Sequence, residues 1–581
     1  MQNPFRPLYP YLTKYKKRYA IGFSALLITQ VVGVTVPLII KDAIDGLTHR
    51  VSLQALLFFA GLLLGVALTK AVFQFWMRWM LIGISRDVEY DLRNDLFRHL
   101  MRLDQRYYNE HRTGDLMSKL TNDLSAVRNI VGPGIMYSAN TIVSGIATII
   151  LMAHLDMRLT LLAIAPLPLA SVAVKFFGQR IHERFEKIQA MYSELTERVR
   201  ESLSGIRLVR AFCQEDAENR EFNRMNRIFV ERNKRLIWIT SLLWPALALL
   251  FAASFLLIMV VGGEHVLSGE ITVGTFAAFN IYLMYLIWPI IALGWVTNII
   301  QRGLASLGRL WMIFAAQPGI DDPSVPKTPA ATLKGEIEFR NLTFSYNGFP
   351  ILKNINLRIP PGRTVAIVGA TGSGKSTLAA LVPRLYEAPE GSVLVDGIPV
   401  RQFPLTTLRS HIGFVPQETF LFSDTIRENV RFGAPDSSQE EVAHAAEISN
   451  ILPDIMSFPK GFDVMVGERG LTLSGGQKQR VAISRAILRD PRILILDDAL
   501  SSVDTYTEEK ILQHLTGVMA GRTTILISHR ISTIRNADEI VVLHGGTIVE
   551  RGSHEDLVAL NGHYAELYNK QLLEEALEKE V

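Results

Sequence analysis

Six apolar runs, each long enough to cross a bilayer, follow one another along the first half of this 581-residue chain. They are Tyr19–Ile40, Leu56–Trp79, Ile135–Leu155, Leu159–Phe177, Leu236–Gly262 and Thr275–Ile300. Roughly 20 helical residues cover a bilayer core, so every run suffices. The alternative, buried helices of a soluble bundle, fails because six such runs would overfill any soluble core. Mean hydropathy of +0.21, with 49% hydrophobic and 20% charged residues, agrees with a membrane protein and excludes a disordered chain.

Runs one and two, three and four, and five and six are joined by short loops. About fifty polar residues separate runs two and three, and about sixty separate four and five. Basic residues are distributed unevenly among these connections. The leader carries Arg6, Lys14, Lys16, Lys17 and Arg18, the first long connector runs from Arg86 to Arg128, and the second from Arg180 to Arg235. The short loops hold only Lys41, Arg50 and Arg158, and Gly263–Ile271 holds none. Because lysine and arginine are retained in the cytoplasm, both termini and both long connectors are expected there, in a multi-pass protein of the inner (plasma) membrane with long helical cytoplasmic extensions. The leader is too apolar for too long to be a cleavable signal peptide. The single cysteine, Cys213, excludes an intrachain disulfide and a cysteine-based zinc site. A net charge of +4 gives no reason to expect nucleic acid as a partner.

Prolines 37, 166, 168, 245 and 289 lie in the apolar runs, where they are expected to bend helices. Lys70, with Gln74 one turn on, either lines the bundle interior or snorkels toward an interface. The aromatics Phe75, Trp76, Trp79, Tyr282, Tyr285, Trp288 and Trp295 serve packing, interfacial anchoring or a cavity wall. Four prolines between Gln317 and Pro329 forbid a continuous helix. The expected division is therefore a membrane domain over 1–316, a linker over 317–334 and a water-soluble domain over 335–581.

The soluble part begins with strand-like positions at Ile337, Phe339, Leu342 and Phe344. The run Val365–Val368 then leads into Gly369-Ala370-Thr371-Gly372-Ser373-Gly374-Lys375-Ser376-Thr377, a complete G-x-x-x-x-G-K-[ST] loop with helix-forming residues behind it. Such a loop curls backbone N–H groups around phosphate oxygens, while Lys375 reaches the β and γ phosphates and the Ser376 hydroxyl ligates Mg²⁺. Farther on, Ile493–Asp497 is an apolar strand ending in a carboxylate, as suits a strand beside that loop with Asp497 in the metal shell.

The segment Leu473-Ser474-Gly475-Gly476-Gln477 completes a resemblance to the ATP-binding cassette (ABC) transporters, specifically exporter half-transporters of the multidrug and lipid type. The resemblance covers essentially the whole chain. It implies an all-α membrane domain of six helices fused to an α/β P-loop ATPase domain, with ATP and Mg²⁺ as cofactors. It also implies roles. Tyr346 stacks on adenine, Gln417 is the Q-loop residue near the metal, and Gly467–Gly470 is an exporter-specific loop. Ser474–Gln477 closes in trans over ATP held by a second half-transporter. Ser501–Asp504 is the D-loop, and His529 contacts the γ-phosphate. Thr113–Leu116 and Ser204–Phe212 resemble or flank the segments that couple the two domains. The transported compound is expected to be hydrophobic or amphipathic, a drug or a lipid, taken from or through the bilayer.

One position departs from the family. The catalytic carboxylate after the strand aspartate is normally glutamate, and here it is Asp498. A side chain one methylene shorter leaves the carboxylate about an ångström or more from where a general base must be, and that geometry tolerates little displacement. The intact Ser474–Gln477 signature beside a shortened base resembles the degenerate-site subunit of heterodimeric exporters. Two alternatives stand beside it: a homodimer in which Asp498 works, and a nucleotide-binding regulatory subunit with little ATPase activity.

Overall fold

The computed structural model describes residues 5–49, 52–323, 333–467, 470 and 472–580. Residues 324–332 of the expected linker, and Glu468 and Arg469 of the exporter-type loop, lie outside them. Among the described residues six helices are long and apolar enough to cross a membrane: Lys16–Leu47, Leu53–Leu100, Thr113–Leu155, Met157–Ser204, Glu215–Leu267 and Val273–Ala315. Five of them run for 43 to 53 residues, so the polar connectors are mostly helix continuing beyond the apolar runs.

The prolines act differently according to their neighbours. Pro37 lacks the N–H that would bond within the helix, and the first span is interrupted at Thr35. The Val34 carbonyl beside the interruption accepts a 2.8 Å hydrogen bond from the fully buried Tyr282 hydroxyl, and Thr35 Oγ1 donates to Val32 O at 2.8 Å. Pro166 marks a second interruption, between Ile164 and Leu167. Pro245 and Pro289 lie inside continuous helices. Lys70 extends along Gly33, where a Cβ would stand 3.3 Å from its Nζ.

The chain separates into two units. One comprises the residues up to Met101 together with Arg112–Ala316; the other comprises Arg102–His111 and the chain from Gln317 onward. The short piece joins the second unit through Gly319 N–H donating to Asp104 Oδ2 at 3.1 Å and Asn109 Nδ2 donating to the Tyr386 hydroxyl at 3.2 Å. Thr113–Leu116 groups with the spanning helices, and the piece just before it groups with the soluble fold.

The second unit contains two sheets. Strands β1 (Ile337–Tyr346), β2 (Phe349–Ile359), β3 (Thr364–Val368), β4 (Val393–Val395), β5 (Ile398–Pro399), β6 (Ile412–Val415), β7 (Ile493–Asp497), β8 (Thr523–Ile527), β9 (Glu539–His544) and β10 (Thr547–Gly552) form the orders β2-β1-β4-β5 and β10-β9-β3-β8-β7-β6. In the larger sheet β6, β7, β8, β3 and β9 pair in parallel, and β10 is antiparallel. Both faces of that sheet are covered. Val365, Ile367, Ile493 and Ile495 pack into one core, whereas Ala366, Val368, Leu494 and Leu496 pack into the other. Hence these strands read as unbroken apolar runs. In β1 a bulge falls between Phe339 and Leu342, with Asn341 at φ +45°, so both apolar residues stay buried although they are three apart.

Candidate nucleotide site

β3 ends at Val368, and the loop Gly369–Gly374 turns the chain into the helix Lys375–Leu381. Two glycines are required by close approach. A Cβ on Gly369 would lie 2.1 Å from the Leu543 carbonyl oxygen, and one on Gly374, at φ +100°, would lie 2.7 Å from Leu352 Cδ2. Gly369→Ala is therefore expected to force the loop outward. Overpacking of this kind costs about 1–3 kcal/mol, so ATP affinity should fall about tenfold or more, measured by equilibrium binding. Unchanged affinity would show that the loop shape is not what holds the ligand.

The ammonium of Lys375 donates to Gly369 O at 2.8 Å and to Ala370 O at 2.9 Å. An ammonium has three donors, which leaves one for a further acceptor. Burial pulls the Lys375 pKa below the usual lysine value, and the nearby Asp497 and Asp498 charges oppose the shift. The Ser376 hydroxyl donates to Asp497 Oδ1 at 3.0 Å. Burial raises the Asp497 carboxyl above the usual range, against the hydrogen bond from Ser376. Ser373 Oγ is buried without a hydrogen-bond partner among the described residues, a costly state that a phosphate oxygen would relieve.

A cavity of about 260 Å³ opens over this loop. Its wall contains Thr371, Gly372, Gly374, Lys375, Ser376 and Thr377 from the loop and helix, with Tyr346, Gln417, Asp497, Asp498 and His529 from elsewhere. Five separated sequence segments therefore meet at one place. Gly369, Ala370 and Ser373 form the inner turn of the loop behind that wall. Ile351 and Ile527 also line the cavity and carry no signal that singles them out in sequence. Tyr346 is held by its hydroxyl, 3.4 Å from Thr377 Oγ1, and by edge-on packing against Phe344 and Tyr386, with ring centroids 5.0 and 5.1 Å away.

β7 and β3 are not neighbours in the sheet. β8 lies between them, and the Asp497 carboxylate still reaches Ser376 from the strand end. No group of three or more His, Cys, Asp or Glu side chains among the described residues forms a metal cage. Ser376 and Asp497 offer two hard oxygens, with Gln417 on the same wall, and phosphate oxygens would have to supply others. That is the manner in which Mg²⁺ binds with nucleotides, so the residues fit the ion.

Asp498 takes the left-handed conformation at φ +50°, one that aspartate tolerates better than most residues, and its N–H donates to Ile527 O at 2.8 Å. Gln479, buried and unflagged by sequence, ties this turn together. Its Nε2 donates to Ser501 Oγ at 2.9 Å and approaches Asp498 O at 3.4 Å, while its Oε1 accepts from Ser502 N–H at 2.9 Å.

The Ser474–Gln477 segment does not reach the cavity in this chain. Ser474 caps the helix Gly475–Leu488 reciprocally with Gln477: Ser474 Oγ accepts from Gln477 N–H at 3.3 Å, and Gln477 Oε1 accepts from Ser474 N–H at 3.0 Å. Gln477 Nε2 also donates to Asp454 Oδ1 at 2.9 Å. The backbone of Gly476 presses against the D-loop, since a Cβ there would stand 2.9 Å from Ser502 O.

Comparison with known proteins agrees with this geometry. Residues 19–290 match the family model of the ABC transporter transmembrane region, and residues 352–501 match that described as ABC transporter. The chain is 39% identical to the probable multidrug resistance ABC transporter ATP-binding/permease protein YheI of Bacillus subtilis (strain 168), over 96% of each chain. It is 36% identical to the multidrug resistance-like ATP-binding protein MdlA of Escherichia coli (strain K12), over 99% of this chain and 98% of the other. Identity to the ATP-dependent lipid A-core flippase of Syntrophus aciditrophicus (strain SB) is 35%, over 99% and 96%. Among solved structures, a bacterial Atm1-family ABC exporter with ATP bound superposes with a TM-score of 0.77 at 30% identity, covering 96% of this chain and 98% of that one. The phosphate loop, the signature helix and the six spans thus belong together: the chain is a member of the ABC transporter family, an exporter half-transporter that carries its membrane-spanning helices and its ATP-hydrolysing domain on one polypeptide.

Proposed function

We propose that this protein exports hydrophobic or amphipathic compounds, drugs or lipids, by alternating access, as one half of a heterodimer whose two ATP sites are unequal. The observation that carries the asymmetry is Asp498 on the cavity wall, where a carboxylate one methylene longer is the family's general base. In this reading Lys375 and the Gly369–Thr377 loop hold the phosphates and Tyr346 stacks on the base. Ser376, Asp497 and Gln417 hold Mg²⁺, and Asp498 and His529 face the γ-phosphate. Ser474–Gln477, which does not reach this chain's own cavity, meets ATP bound by the partner half-transporter. Substrate class is supported by the multidrug and lipid A-core relatives. The deciding experiment is co-purification of the chain from its native membrane. A second, homologous half-transporter at equal amount supports the heterodimer, and recovery of this chain alone with full ATPase activity overturns it.

The orientation belongs to the same proposal. Both termini, both long connectors and the ATPase domain face the cytoplasm, supported by the lysine and arginine asymmetry. In a Cys213→Ala background, a cysteine at the exposed Ser268 is expected to react with an impermeant maleimide added outside intact cells, and one at the exposed Ser118 is not. The reverse pattern would invert the topology.

A further inference from the structure

The sixth spanning helix, Val273–Ala315, borders two cavities of about 660 and 690 Å³ that share Asn298 and Arg302 in their walls. The smaller also meets the fourth span, whose Lys175, Gln179 and His182 recur at helical spacing and so share a face. No carboxylate lines either cavity among the described residues. His182 Nε2 lies 3.3 Å from Glu186, whose side chain is exposed and not part of the wall. Lys175 and Arg302, by contrast, make no ion pair or hydrogen bond among the described residues. On the same two helices Arg198 is paired with Glu218 at 2.7 Å and Arg309 with Asp123 at 2.5 Å. Two uncompensated cations therefore face a cavity that has apolar wall at Val174, Phe185 and Ile290.

Their depth matters. The apolar run of the fourth span ends at Phe177 and that of the sixth at Ile300, so Lys175 and Arg302 sit where hydrocarbon gives way to lipid headgroups. Both side chains are exposed along the cavity and have no counter-charge among the described residues, so they are open to an anionic head, and a cavity of several hundred cubic ångströms is the size that encloses a small amphiphile. We propose that the smaller cavity binds an anionic amphiphile, with its phosphate or carboxylate head between Lys175 and Arg302 and its chain along the apolar wall. The inference deepens the exporter reading by naming a charge class for the substrate, and it is tested by binding so that the two can fail separately.

The test uses the full chain in phosphatidylcholine nanodiscs, titrated with 11-(dansylamino)undecanoic acid and with its methyl ester, binding being followed by dansyl fluorescence. The acid is expected to bind saturably and about tenfold or more tighter than the ester, as two cations without a counter-charge imply. In Lys175→Gln/Arg302→Gln that preference should collapse while ester affinity stays put, and Arg302→Lys should keep it. ATP binding in the same samples reports that each variant is folded. Equal binding of acid and ester by the unaltered protein, or parallel loss of both in the double variant, overturns the proposal. Displacement of the acid by phosphatidylglycerol assigns the site to lipid headgroups, and displacement by dodecyl phosphate alone assigns it to soluble amphiphiles; both support it. Equal displacement by inorganic phosphate would mean a simple anion site and would overturn it. If acid binding holds but the acid neither stimulates ATPase nor is transported, the binding inference stands and the assignment of this site to the transported compound falls.

Discussion

Replacing Lys375 by alanine is expected to abolish productive ATP binding at this chain's site. Two of the three ammonium donors are held by the Gly369 and Ala370 carbonyls, which fixes the head at the mouth of the loop. The remaining donor is directed by this tether, not by a search through side-chain rotamers. Burial disfavours the isolated charge, as the lowered pKa shows, so the site is poised to gain from an arriving triphosphate. A charge-assisted hydrogen bond is worth about 1.5–3 kcal/mol, and the long-range neutralisation of two phosphates adds to it. The loss in ATP affinity should therefore reach about a hundredfold or more by equilibrium binding. Lys375→Arg should not rescue it, because the larger planar head does not fit between two carbonyls in a buried pocket. Retention of ordinary affinity in Lys375→Ala would remove the β and γ phosphates from this loop.

The parts of the molecule legible in sequence are those whose signal is local. Six spans follow from apolar length, and the phosphate loop follows from glycines whose spacing is dictated by backbone approach to Leu543 and Leu352. Asp497 is legible because an apolar strand ending in a carboxylate is a contiguous pattern. What is not legible depends on partners distant in the chain. The insertion of β8 between β3 and β7 leaves no mark on either strand, since all three are buried along almost all of their length and share a short apolar centre. Gln479 is invisible because its importance lies in bridging Ser501, Ser502 and the Asp498 carbonyl. The piece Arg102–His111 is polar helix and loop like its surroundings, and only its bonds to Gly319 and Tyr386 assign it to the second unit. The bulge at Asn341 turns a three-residue spacing into a buried alternation.

Two substitutions in the ATPase domain should have opposite consequences if the composite sites are unequal. Ser474→Arg removes the hydroxyl that caps the helix Gly475–Leu488 and sets a cation at its N-terminus, where the partner's γ-phosphate is proposed to approach. Loss of the cap alone costs about 1 kcal/mol, so a second variant separates folding from function. Ser474→Asp keeps an N-cap acceptor for Gln477 N–H but presents a negative charge to the phosphate. In a heterodimer both variants should nearly eliminate steady-state ATPase, although this chain's own phosphate loop is untouched, and Ser474→Asp should do so with an unchanged melting temperature. Asp498→Glu restores the missing methylene at a backbone position held at φ +50°, where the longer residue meets about 1 kcal/mol more strain. In a heterodimer the partner's glutamate already sets the rate, and total turnover should stay level or rise modestly. In a homodimer the same change should accelerate hydrolysis strongly, since a correctly placed general base contributes about 10²–10⁴-fold. Steady-state ATPase of the purified assembly, carrying each change separately, decides between these outcomes. Near-normal turnover in Ser474→Arg would mean that the signature helix completes no active site, and the unequal-site mechanism would be wrong.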